Sequence, residues 1–114
     1  MSGITTHVLN TSSGQPAQGI KIQLEFMNSD GNFDILSDTC TNSDGRAPEL
    51  LTDQSKFLEG TYRITFLTKD YFTGLDQKCF YPYASIIFDI EDLESHYHVP
   101  LLISNYSYST YRGS

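Results

Sequence analysis

Apolar and polar positions alternate with a period of two along much of this chain. Ile20, Ile22, Leu24 and Phe26 are interleaved with Lys21, Gln23 and Glu25, so a strand here carries one apolar and one wet face. Tyr62, Ile64 and Phe66 repeat the pattern around Arg63 and Thr65, as do Ala84, Ile86, Phe88 and Ile90 across 84–90. Such strands pack on one side only. Turn-forming clusters separate them: SSGQPAQG at 12–19, NSDGN at 28–32, NSDG at 42–45, LEG at 58–60 and EDLES at 91–95. The pattern predicts strands at 4–9, 20–28, 33–41, briefly near 47–50, then 60–69, 83–91, 96–104 and 106–112. The alternation lapses at 70–77, DYFTGLDQ, where a short helix is expected. Short strands between frequent turns make a β-sandwich. Pro100 cannot donate to a ladder and predicts a bulge or an edge position in HYHVPLLIS.

With 114 residues, the chain is the size of one domain, 1–114, around one core. Seven Lys and Arg against fourteen Asp and Glu give a formal charge of −7, which disfavours nucleic acid and anionic membranes as partners. No apolar run is long enough to cross a bilayer. The N-terminus has no basic stretch followed by an apolar one, and the terminal RGS is not a peroxisomal address, so a cytoplasmic location is expected. Cys40 and Cys79 are expected as free thiols in that reducing compartment.

Three histidines are available for chemistry: His7, His96 and His98. His96 and His98 form an H-x-H whose rings share one face of a strand. Two imidazoles on one face suit zinc, but a third ligand is not at close spacing, and His7 supplies one only if its strand neighbours 96–104. Hydrogen-bonded surface histidines are the plainer reading. Arg46 follows the NSDG corner, either as a solvated charge or as a fork for a planar polar ligand. In the terminal SYSTYRGS, alternation puts Ser107, Ser109 and Tyr111 on one face and Tyr106, Tyr108 and Thr110 on the other. The rings are expected to fill core while the small hydroxyls let a second copy approach; a plain polar edge strand is the alternative.

Taken together and in order, HVLNTSSGQPA (7–17), TNSDGRA (41–47), GTYRITF (60–66) and HYHVPLLISNYSYSTYRGS (96–114) resemble the transthyretin-like 5-hydroxyisourate hydrolases of urate breakdown. The resemblance implies an all-β Greek-key sandwich of two four-stranded sheets with one short helix. It also implies a homotetramer, a dimer of dimers whose channel holds the active sites, acting without metal or organic cofactor on 5-hydroxyisourate. By motif match the catalytic residues are His7, Arg46 and His98, and Tyr111, Arg112, Gly113 and Ser114 bind substrate. Gly113 is expected to let the tail turn toward the ligand. The thyroid-hormone carrier transthyretin shares the fold and the SYST strand but lacks both histidines, this arginine and the RGS end. A carrier of a small aromatic ligand is therefore the alternative. The sequence departs from the usual pattern at Asn10, where Asp is common, at Tyr83, and at Asn105, where Pro is common. Asn10 leaves open whether a carboxylate there normally supports His7.

Overall fold

The computed structural model describes residues 3–113. It contains ten short strands: β1 (Gly3–Thr5), β2 (Val8–Asn10), β3 (Gln15–Pro16), β4 (Lys21–Met27), β5 (Phe33–Cys40), β6 (Gly60–Phe66), β7 (Ala84–Ile90), β8 (His96–His98), β9 (Leu101–Ile103) and β10 (Tyr108–Thr110). One α-helix, α1 (Thr68–Gly74), follows β6. One four-stranded sheet has the order β5-β4-β6-β7 and is antiparallel throughout. The other runs β10-β9-β2-β3, and the pair β1-β8 extends it.

The two sheets close on a core that follows the period-two pattern. Ile20, Ile22, Leu24, Tyr62, Ile64 and Phe66 are fully buried from one side, and Val8, Leu101 and Ile103 from the other. Tyr62 keeps its hydroxyl satisfied by donating to the Leu58 carbonyl at 2.8 Å, and its ring stacks on Phe88. Burial of a tyrosine without such a partner would cost most of what its ring contributes.

The helix begins two residues earlier than the pattern indicates and ends at Gly74. Leu67 N–H still bonds the Lys21 carbonyl, so the chain leaves the sheet only there. No strand forms at 47–50. Arg46 makes a single bridge to His7, and the chain then turns away, with a 3₁₀ turn at Gln54–Lys56.

Pro100 sits neither at a bulge nor at an edge. Strand β9 lies between β2 and β10. Thr5 pairs with His98 and Val8 with Leu101, so the register is the same on both sides of the proline. Val99 and Leu101 N–H groups bond the Thr5 and His7 carbonyls, and Pro100 falls on the alternate position whose N–H points to the other neighbour. There the register that pairs Tyr108 with Ile103 and Gly113 with His98 sets Pro100 opposite Tyr111. The missing donor interrupts the β9-β10 ladder between Thr110 and Gly113, and Thr110 Oγ1 donates to the Pro100 carbonyl instead, at 2.7 Å.

The tyrosines of the tail do not fill the core. Tyr106, Tyr108 and Tyr111 are 67%, 38% and 59% exposed, and β10, which they occupy or flank, is an edge strand. Tyr108 instead packs edge-on against Tyr81 at 4.9 Å between ring centres.

Candidate active site

Parallel pairing of β1-β2 with β8-β9 brings together residues from the two ends of the chain. In a sheet, paired residues face the same side. The Thr5–His98 and Gly3–His96 pairs therefore put Thr5, His7, His96 and His98 on one face, away from the core, where all four are half-buried. The strand 3–10 does neighbour 96–103, as a third zinc ligand would require, yet His7 lies level with Pro100. No three His, Cys, Asp or Glu groups among the described residues converge as a metal site would require.

Arg46 reaches this face through the 42–46 turn. Asn42 Oδ1 accepts from the N–H groups of Asp44 and Arg46 at 2.9 and 3.1 Å, and the Asn42 N–H donates to the Arg46 carbonyl at 2.8 Å. Gly45 has φ +76°, and a Cβ there would lie 2.5 Å from the Val8 carbonyl oxygen. Only glycine fits this approach, which lets the Gly45 carbonyl accept from Val8 N–H and aligns Arg46 with His7.

His98 is held from two sides. Its Nδ1 lies 2.8 Å from Thr5 Oγ1, which is also 2.8 Å from His96 Nε2. Its backbone carbonyl accepts from Gly113 N–H at 2.8 Å. Partial burial holds its pKa below the ordinary imidazole value, and the charges of Arg46, His7 and His96 lower it further. Both effects favour the neutral imidazole, the form able to take a proton. Neither Thr5 nor the site role of His96 was evident from the motif. The signal was H-x-H facing a strand with a hydroxyl, visible only once the register is known.

Of the other expected site residues, Gly113 joins His98 but does not turn the chain: it is paired in extended register. Arg112 lies on the other side of the tail, its guanidinium 4.5 Å above the Tyr97 ring and 3.4 Å from the His96 carbonyl. With Tyr111 it lines a groove of about 270 Å³ between the β7 and β10 edges, near Phe88 and Val99. A smaller hollow of about 220 Å³ borders Thr5, Asn42 and Arg46. The imidazoles, the groups able to move protons, lie on the histidine face and not in the larger of these two grooves. Ser114 lies outside the described residues.

The departures from the family pattern have local explanations. Asn10 points into the core, on the face opposite His7. Its Oδ1 accepts from Ser12 N–H at 3.0 Å and its Nδ2 donates to Tyr71 Oη at 3.2 Å. It closes a turn and anchors α1, and has no contact with His7. Asn105 Nδ2 donates to Gln77 Oε1 and to the Lys78 carbonyl, and its Oδ1 accepts from Ser12 Oγ. Three loops are tied where a proline would tie none. Tyr83 is exposed beside the Glu25–Arg63 ion pair, away from the histidines.

A two-sheet sandwich of this topology defines a class that includes enzymes and carriers. The chain belongs to the HIUase/Transthyretin family, whose profile matches residues 4–113. It is 45% identical to a Mus musculus protein named 5-hydroxyisourate hydrolase, over 99% of this chain and 96% of that one. The solved structure of Klebsiella pneumoniae 5-hydroxyisourate hydrolase superposes with a TM-score of 0.85 at 32% identity, covering 100% of this chain and 94% of that one. Transthyretin from Sparus aurata superposes with a TM-score of 0.92 at 28% identity, covering 99% and 97%. Backbone similarity alone does not separate the two activities.

Proposed function

We propose that this chain is a 5-hydroxyisourate hydrolase, opening the ring of its substrate to 2-oxo-4-hydroxy-4-carboxy-5-ureidoimidazoline. The observation that carries the reading is the convergence of His7, Arg46 and His98 on one sheet face, in a chain whose full-length relatives include proteins named for that hydrolysis.

His98 is the general base. Its neutral imidazole accepts a proton from water as the oxygen attacks the ring carbonyl. Arg46 lies near the developing oxyanion and stabilises it with fixed N–H donors. When the ring C–N bond breaks, the carbonyl carbon keeps the water oxygen as a carboxylic acid that ionises to solvent, and the proton held by His98 passes to the departing nitrogen. His7, beside Arg46, orients the attacking water or the substrate. Gly113, against the His98 ring, is part of the binding wall, and Tyr111 and Ser114 are assigned to substrate binding by the motif match alone. Arg112 holds this wall in place through Tyr97 and the His96 carbonyl; direct contact with substrate requires its guanidinium to leave Tyr97.

The histidine face is open on a single chain, and β10 carries an unpaired edge with exposed tyrosines. Both features support assembly into a homotetramer in which other copies roof the face and pair the edge. Among the described residues no helix is long and apolar enough to cross a membrane, and we place the enzyme in the cytoplasm on its free Cys40 and Cys79. The test is the ultraviolet decay of freshly prepared 5-hydroxyisourate with and without protein. Faster decay supports the hydrolase; binding of an aromatic ligand without faster decay supports a carrier.

A further inference from the structure

We infer that Thr5 and His96 form a relay that sets the tautomer of His98, holding its proton on Nδ1 and presenting a bare Nε2 to the substrate. Thr5 is then a positioning residue, acting through His98. The inference rests on the hydrolase reading only in naming His98 as the base.

The geometry limits the arrangement of protons. Thr5 Oγ1 lies 2.8 Å from both His98 Nδ1 and His96 Nε2. A hydroxyl has one hydrogen and two lone pairs, so it can donate to only one of the two rings, and a ring it does not donate to must donate to it. If it donates to His98, Nδ1 is bare and Nε2 carries the proton, and the base has no lone pair to offer at that nitrogen. If it donates to His96, His98 Nδ1–H donates to Thr5 and Nε2 is free.

The reaction itself selects the second polarity. Once Nε2 has taken a proton from water, both His98 nitrogens carry hydrogen, and Nδ1 must be a donor. A threonine hydroxyl still aimed at Nδ1 would then oppose donor to donor. With the hydroxyl already directed to His96, nothing reorients during proton transfer, which is the condition for a preorganised site. His96 is the acceptor that makes this possible, and its Nε2 must keep its lone pair.

The surroundings suit this role. The charged and titratable groups facing His98 are His7 on the parallel neighbour, Arg46 from the 42–46 turn and His96 on its own strand. Against the tail it meets the Gly113 backbone, and Arg112 bonds the His96 carbonyl from the far side. All the side chains among these are cationic or neutral, so a hydroxyl is the group that orients the ring where a carboxylate does so in a catalytic triad. An imidazole in the wrong tautomer can cost a hydrolase about 10⁴ in turnover. A free histidine side chain prefers its proton on Nε2, so loss of Thr5 would favour the inactive form.

The test combines ¹⁵N spectra of histidine-labelled protein with kinetics, for wild type, Thr5→Val and Thr5→Ser, with His98 assigned through His98→Asn. The wild type and T5S should show His98 protonated on Nδ1, and T5V should move it toward the Nε2 form. In turnover of 5-hydroxyisourate, T5V should lower kcat about tenfold or more with KM within about twofold, T5S should recover most of it, and the T5V/H96L double variant should be no worse than either single. An Nε2-protonated His98 in wild type, an unchanged spectrum in T5V, or equal losses in T5S and T5V would each overturn the relay. If wild type fails to turn over hydroxyisourate, the hydrolase reading falls, while the nitrogen shifts still decide the relay.

Discussion

Gly113 lies against the ring of His98: a Cβ at position 113 would stand 2.5 Å from His98 Cδ2 and 3.2 Å from Cγ. The close approach accompanies the bond from Gly113 N–H to the His98 carbonyl, so the ring is set against a bare backbone. Gly113→Ala should therefore displace either the tail or the imidazole. We expect kcat/KM to fall about tenfold or more with little change in Tm. Activity equal to wild type would mean that the His98 ring is free to swing.

Replacement of His7 or His98 by Asn should lower kcat/KM by about 10²-fold or more, the usual cost of losing a general acid or base, with the circular dichroism of the sandwich preserved. Near-normal turnover in both variants would remove the histidines from the mechanism.

The depressed pKa of His98 has two consequences of the same sign. The acid limb of kcat/KM should fall below the ordinary imidazole value of about 6.5, because the base stays unprotonated to lower pH. In stability, the unfolded chain binds the proton more readily than the folded one. The contribution of His98 is therefore complete above about pH 6.5 and is lost as pH falls through the folded-state pKa. Arg46→Gln should raise the His98 midpoint followed by NMR without restoring it fully, since burial is the larger cause.

Deletion of Arg112–Gly113–Ser114 removes the bond to the His98 carbonyl and the stacking on Tyr97. Turnover should drop by about 10²–10³-fold, whereas Tm should change little because Arg112 and Gly113 lie outside the core. A fully active truncation would make the tail dispensable.

Light scattering should give a mass about four times the 12.9 kDa of the chain. Ser109, exposed and paired with Leu102 on the histidine side, should not tolerate Phe if another copy covers it. An active monomeric wild type would count against the tetramer.

Much of the architecture could be read from alternation alone: β4 and β7 fall within the expected strands 20–28 and 83–91, and β6 fills the expected 60–69 as far as Phe66, where the helix takes over. Those strands each bury one face, which is what a period of two reports. The segment at 47–50 misled because Ala47 and Leu50 are buried from an irregular loop, and burial without ladder bonds leaves the same apolar trace. The tail tyrosines misled for the converse reason, since an edge strand can present large rings to solvent. Motif resemblance singled out His7, Arg46 and His98, which the fold brings to one sheet face. It missed Thr5, because its meaning depends on a partner 93 residues away.

That separation also bears on the order in which the protein is made. The β4-β5 hairpin pairs neighbours in sequence and can form on a growing chain, but parallel pairing of β1 with β8 must wait until β8 has been synthesised. An incomplete chain can thus hold a folded hairpin and yet no catalytic face. The face that holds His7 and His98 therefore cannot exist before β8 and β9 have been made and paired with β1 and β2.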